Sequence, residues 1–243
     1  MARNIRLEIE YDGSDFHGWQ VQPNLRTVQG EVERGIRAIV NHDVKLIGSG
    51  RTDVGVHALG QVANFQTESG LDEETMLRAL GGVLPRDILV KRVREADPGF
   101  NARFSAKSRT YRYRVFPGRT AILRRFVWQV LYQLNAEKMI QAAGLIYGEH
   151  DFSSFCVAES AKNDNRCKVT SAEWERLGEE LVFRIEADRF LHSMVRSLVG
   201  TLIDVGRGYY SVPDFGDILR AKDRTKAGPT APACGLYLVE VKY

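Results

Sequence analysis

The sequence predicts a mixed α/β (α+β) fold built from two ferredoxin-like βαββαβ halves with mostly antiparallel sheets. Three observations lead there. The chain is 243 residues long, a length that suits two domains of ordinary size. Its first hundred residues alternate between period-two and period-three-to-four apolar patterns in the order βαββαβ. The second half repeats that order with longer pieces and one added helix, without any residue-level repeat.

Ile5 to Tyr11 alternate apolar and polar and end at Asp12-Gly13, as a half-buried strand does. A loop rich in Gly, Pro and Asn follows. Thr27 is placed to cap a helix over 28–40, where Val28, Val32, Ile36 and Ile39/Val40 fall on one face. Val44 to Ile47 reads as a strand, followed by a glycine-rich turn. Gln61 to Thr67 is a second alternating strand, Asp72 to Leu80 a short capped helix, and Ile88 to Arg94 a strand that stops before Asp97-Pro98-Gly99. In the second half, Thr110 to Phe116 is a strand and Ala136 to Tyr147 a helix. Cys167 to Leu177 and Leu181 to Ala187 form an antiparallel pair. Helices over 190–205 and 213–220 precede a last strand over 236–241. The domain boundary is expected near residues 97–107, giving domains of 1–105 and 106–243. Ala158 to Asn165 is polar and turn-prone, hence an exposed loop.

Composition removes several function classes. Hydrophobic residues make up 44% and charged residues 27%, as in a folded soluble protein, and the default compartment is the cytoplasm. No run reaches the ~18 apolar residues of a membrane helix, and the N-terminus reads as a strand rather than a signal peptide. Cys156, Cys167 and Cys234 show no close pair spacing and read as buried free thiols; the five histidines show no ligand spacing. No metal or small-molecule cofactor is expected. Charge is uneven: residues 86–125 hold 12 Lys/Arg against 3 Asp/Glu, and 25 of the 34 basic side chains are arginine. Arginine pairs with phosphate through a planar fork and stacks on bases. A nucleic-acid partner and a merely solvated basic face both fit that pattern.

Three segments carry candidate chemistry. In Gly48-Ser-Gly-Arg-Thr-Asp-Val-Gly-Val-His57, three glycines surround Arg51, Thr52 and Asp53 between two strands. Neither the dinucleotide fingerprint nor the Walker lysine is present. Asp53 is a turn former or a catalytic carboxylate, and Arg51 nearby favours its ionised form. In Ser108-Arg-Thr-Tyr-Arg-Tyr-Arg114, strand alternation sets Arg109, Tyr111 and Tyr113 on one face and Arg112 and Arg114 on the other. That arrangement suits unpaired RNA bases stacked on rings with phosphates held by arginines, or equally tyrosines packed inward with arginines in water. On the helix over 190–205, Leu191, Met194, Val195, Leu198, Val199, Leu202 and Ile203 fill one arc, with Ser193, Ser197 and Asp204 opposite. Arg196 falls at the margin, where a guanidinium either snorkels outward or meets a carboxylate such as Asp53.

Ser49-Gly-Arg-Thr-Asp-Val-Gly-Val-His-Ala58 resembles the active-site motif of the tRNA pseudouridine synthase A family. Arg109-Thr-Tyr-Arg-Tyr113, His150-Asp-Phe-Ser-Ser-Phe155, Phe190-Leu-His-Ser-Met-Val-Arg196 and Ala231-Pro-Ala-Cys-Gly-Leu-Tyr-Leu238 support it in the family's order. The resemblance implies that Asp53 is the catalytic aspartate, Arg196 its ion-pair partner and Tyr111 the aromatic contact to the target uracil, with Arg51 and Leu236 as further walls of the site. It also implies the pseudouridine synthase fold with two halves meeting in a cleft, a homodimer with tRNA spanning both subunits, and modification of uridines 38 to 40 in the anticodon stem-loop.

Such a reaction needs no redox partner, in keeping with the missing cofactor motifs. Its target nucleotide must be flipped out of the stack, at roughly a few kcal/mol. A non-catalytic RNA-recognition module is the rival, but 61–67 and 181–187 lack its Gly-Phe/Tyr-x-Phe strand pattern. A nucleoside or glycoside hydrolase using Asp53 lacks a second carboxylate in the same loop.

Overall fold

A computed structural model describes residues 2–157 and 164–243. Of the expected exposed loop, residues 158–163 lie outside the described residues. The chain divides into two compact units, residues 1–107 with Tyr237–Tyr243, and Ser108–Leu236. The expected domain of 106–243 included the last strand, whose residues Tyr237–Tyr243 group with the first unit and pair there with His57 and Ala58.

In the first unit, period-two alternation in Arg3–Tyr11 forms β1, which buries Ile5, Leu7, Ile9 and Tyr11 on one face. Helix α1 (Val28–Val40) starts where Thr27 accepts the Gly30 N–H, and it ends at Asn41 in the left-handed conformation. The short β2 (Ile47–Gly48) leads into β3 (His57–Thr67). Helix α2 (Glu73–Val83) is capped by Asp72, whose carboxylate accepts the Thr75 N–H, and β4 (Ile88–Ala96) follows. Strands β4, β1 and β3 are antiparallel neighbours, with Leu7 between Ala63 and Val93. Strand β2 joins β3 at Asn64 and Ala63. Strand β10 (Leu236–Lys242) runs parallel to β3, with Tyr237 opposite His57 and Leu238 opposite Ala58. The order β4-β1-β3-β2 with two helices is the ferredoxin-like arrangement expected. Buried Val28, Val32, Ile36, Met76 and Leu80 from the helices complete the core, and each such side chain contributes roughly 1.5–3 kcal/mol.

The second unit holds β5 (Ser108–Pro117), β6 (Trp128–Val130), α3 (Ala136–Gly144), β7 (Gly148–Asp151), β8 (Arg166–Leu177), β9 (Glu180–Ala187), α4 (Met194–Gly206) and α5 (Val212–Ala221). Strands β5, β9, β8 and β7 pair antiparallel in that order, and β6 runs parallel to β5. Two differences from expectation have clear causes. Strands β6 and β7 are three and four residues long, too short to show alternation and set instead by pairing to β5 and β8. Helix α4 begins four residues later than expected, since Ser193 stands in the left-handed conformation at φ 59° and breaks the turn before it.

Of the polar residues expected opposite the apolar arc of α4, Ser197 and Asp204 are buried and Ser193 is half-buried; Thr201 is buried beside them. Burial pushes the Asp204 carboxyl up, and the Arg207 guanidinium at 2.9 Å partly offsets it.

Candidate active-site elements

The Asp53 loop, residues 48–57, is held against the segment that follows β1. The Trp19 N–H donates to the Thr52 carbonyl at 3.0 Å, and the Gly55 N–H to that of Phe16 at 3.4 Å. Inside, the Tyr11 and Thr52 hydroxyls are 2.8 Å apart and buried. The Gly13 N–H donates to Nδ1 of His57 at 3.1 Å, and Tyr237 stacks on that imidazole with centroids 4.7 Å apart. At the other end, the Ser49 hydroxyl donates to Oε1 of Gln61 at 2.6 Å, and the Gln61 amide to the Gly50 carbonyl at 3.0 Å. The supporting segment is itself anchored, with the Arg26 guanidinium bidentate on Asp87 at 2.7 and 2.9 Å and 4.1 Å from the Phe16 ring centroid. Asp53 is thus half-buried on a loop fixed at both ends, while Arg51 beside it is exposed.

One backbone feature makes this approach possible. Gly18 has φ +82°, and a Cβ there would lie 2.7 Å from the Thr52 carbonyl oxygen. Only glycine allows residue 18 to come so close to the loop. In sequence, Tyr11, Gly13, Gly18 and Trp19 look like parts of a strand end and a turn-rich loop. Gly-Trp at 18–19 was the available signal, a large ring next to a permissive backbone.

The second unit carries the other expected site residues. Tyr111 on β5 is 9% exposed and meets Phe190 edge-on at 5.0 Å. Tyr113 on the same face is fully buried and donates its hydroxyl to the Pro232 carbonyl at 2.6 Å. On the opposite face, Arg114 is engaged by Glu180 through bonds of 2.7 and 2.5 Å. It is therefore committed within the fold, where the sequence left phosphate binding and a place in water equally open. Arg109 donates to the Asp188 carbonyl at 2.9 Å.

Arg196 lies in the first turn of α4, half-buried, and its Nε–H donates to the Ala231 carbonyl at 2.8 Å. It neither snorkels nor lies loose. Its charge acts on two neighbours: burial pushes the Tyr113 hydroxyl and the Cys234 thiol up, and the guanidinium pulls both back. Leu236 is buried at the start of β10. Within the second unit, Arg196, Tyr113 and the 231–234 segment therefore come together, whereas Tyr111 pairs with Phe190. Asp53 and Arg51 belong to the first unit.

A family model described as tRNA pseudouridine synthase matches residues 8–105 and 142–243, most of the chain. The chain belongs to the tRNA pseudouridine synthase family. Among its relatives, the tRNA pseudouridine synthase A of Caldicellulosiruptor saccharolyticus is 46% identical over 243 residues, covering 99% of this chain and all of that protein. The protein of the same name from Acetivibrio thermocellus is 44% identical with the same coverage. That of Geobacillus kaustophilus is 45% identical over 246 residues, covering 100% of this chain and 95% of its own. In this tRNA pseudouridine synthase family member, the Asp53 loop falls in the first matched stretch, and Arg196 and Leu236 fall in the second. Tyr111 lies between the two stretches.

Proposed function

We propose that this protein isomerises uridine to pseudouridine in tRNA, at positions 38, 39 and 40 of the anticodon stem-loop, as a cytoplasmic homodimer whose subunits together span one tRNA. The observation that carries the reading is the family match across both halves of the chain, including a loop that presents Asp53 on a rigid backbone. In this reaction the N1–C1′ bond breaks, the uracil turns, and a C5–C1′ bond forms. The proton on C5 is lost and N1 gains one, so atoms balance without oxidant, reductant or energy input.

Asp53 acts at C1′ of the flipped nucleotide, where a carboxylate serves as glycosidase carboxylates do at an anomeric carbon. Arg196 serves as its ion-pair partner in the reaction. Tyr111 receives the uracil ring, and base–aromatic contact returns roughly 1–3 kcal/mol of the flipping cost. Arg51 and Leu236 form walls of the site. The half-buried setting of Asp53 and the locked guanidinium of Arg196 support these roles. The basic segment 86–125 holds the RNA backbone through its exposed members, among them Arg119 and Arg124.

The test is to incubate the protein with unmodified tRNA transcripts and map pseudouridine by carbodiimide-blocked primer extension. New stops at one or more of positions 38 to 40 are expected. Stops elsewhere only would overturn the positional assignment, and none on any tRNA with these uridines would overturn the activity.

A further inference from the structure

The segment that follows α5 runs along α4 and is tied to it at three successive points. The Gly228 N–H donates to the Thr201 hydroxyl at 3.0 Å, and that hydroxyl donates to the Ser197 carbonyl at 2.8 Å. The Pro229 carbonyl lies over Gly200, where any Cβ would collide with it. The Ala231 N–H donates to the Arg196 carbonyl at 3.0 Å, while Nε of Arg196 donates back to the Ala231 carbonyl at 2.8 Å. This reciprocal pair fixes the plane of the guanidinium, and with it the direction of the terminal nitrogens.

One side chain binds several oxygens of that segment at once. Arg224 donates through Nη1 to the Ala227 and Gly228 carbonyls, at 3.4 and 3.0 Å, and through Nη2 to the Thr230 hydroxyl at 3.0 Å. The Arg224 turn is fixed in turn by Asp223, which accepts the Thr225 N–H and hydroxyl at 2.9 and 2.7 Å. A planar five-donor group is suited to bind several oxygens of one bent segment together.

We infer that Arg224 is a positioning residue for the isomerisation. It holds residues 227–231 on α4, so that the Ala231 carbonyl aims Arg196. Gly200 is the companion requirement, because it lets the Pro229 backbone reach the helix. The inference rests on the reading that Arg196 acts in the reaction, and it assigns Arg224 no contact with RNA.

The experiment compares single-turnover rates at saturating tRNA, and tRNA Kd by filter binding, for Arg224→Ala, Thr230→Val, Arg196→Met, Arg196→Lys and the Arg224→Ala/Arg196→Lys double variant. Misplacing a reacting group by a fraction of an ångström lowers the rate with no loss of binding, so Arg224→Ala is expected to slow the step about tenfold at unchanged Kd. Lysine at 196 keeps the charge but lacks the Nε–H, so Arg224→Ala adds nothing further in that background. Thr230→Val, which removes one bond and keeps the shape, gives a smaller loss in the same direction and serves should Arg224→Ala not fold. A slow Arg196→Met beside full-rate Arg224→Ala and Thr230→Val overturns the inference alone. So does a loss confined to Kd, or an equal loss in both backgrounds. A full-rate Arg196→Met overturns the role of Arg196 and the inference with it.

Discussion

Replacing Gly18 by alanine perturbs the Asp53 loop from outside the chemistry. Residue 18 has φ +82°, a conformation that costs an L-residue about 1–2 kcal/mol. The new Cβ would sit 2.7 Å from the Thr52 oxygen and 3.3 Å from the Asp53 carbonyl carbon and the Val54 nitrogen. Relief to ordinary contact requires the Thr52–Asp53 peptide to retreat by about 0.7 Å, since 3.4 Å is where such contact begins. That retreat lengthens the bond from the Trp19 N–H to Thr52, now 3.0 Å. A total of about 2 kcal/mol corresponds to a melting temperature lower by about 4–8 °C for a chain of this size. A shift approaching 1 Å at a reacting group costs up to about a hundredfold in rate, so Gly18→Ala is expected to slow isomerisation between about tenfold and a hundredfold. The assay is single-turnover tritium release from C5-labelled tRNA, with thermal melting and tRNA binding measured alongside. Gly70→Ala, where a Cβ meets nothing within 4 Å, is the control and leaves all three unchanged. A Gly18→Ala protein that melts and reacts like the wild type would refute the claim that this backbone contact positions Asp53.

Other consequences can be checked independently. Tyr111→Phe keeps the ring and is expected to retain most tRNA affinity, while Tyr111→Ala loses about 1–3 kcal/mol of it in filter binding; equal losses would contradict a stacking role. Arg114→Met breaks the bidentate bond to Glu180 and is expected to cost about 2 kcal/mol in denaturant unfolding. It leaves the salt dependence of tRNA binding unchanged, whereas exposed Arg119→Ala reduces the slope by about one ion. Burial pushes the Cys167 thiol up to about 11, so only about a thousandth of it is thiolate at pH 8. A disulfide reagent should leave Cys167 unlabelled in the native protein at that pH and label it in denaturant, as read by peptide mass spectrometry. Because the folded thiol is the harder to ionise, its contribution to stability is full below the ordinary value of 9 and lost as pH rises through about 11. Melting temperature should fall over that window less steeply in Cys167→Ala.

Local pattern carried much of the fold. Thr27 and Asp72 announced their helices because a capping oxygen placed before an apolar period is a local signal. The pairing of β8 with β9 was legible from two alternating runs with a short polar turn between them. What stayed hidden depended on partners distant in sequence. Strands β6 and β7 exist only as additions to longer strands. The burial of Ser197, Thr201 and Asp204 depends on the segment around Gly228, whose N–H reaches the Thr201 hydroxyl from 27 residues away.

The candidate site divides in the same way. Asp53 stood out because three glycines around a charged triplet are conspicuous in one short stretch. Its supports, Tyr11, Gly18 and Trp19, are tens of residues away and look ordinary there. For Arg196 the apolar period of α4 left only a marginal position and two generic fates. The Ala231 carbonyl, 35 residues later, decides the orientation. For Arg114 the sequence left phosphate and water both open, because its partner Glu180 comes from another strand of the sheet.

Under the proposed function, Asp53 drives uridine isomerisation in tRNA without a cofactor. The most direct test uses tRNA tritiated at uracil C5, with chelator present and nothing else added, and compares wild type with Asp53→Asn. Tritium release by the wild type and none by Asp53→Asn is expected, with melting temperature and tRNA Kd the same for both. Release by folded Asp53→Asn at a comparable rate, or tight tRNA binding by the wild type with no release, would contradict it.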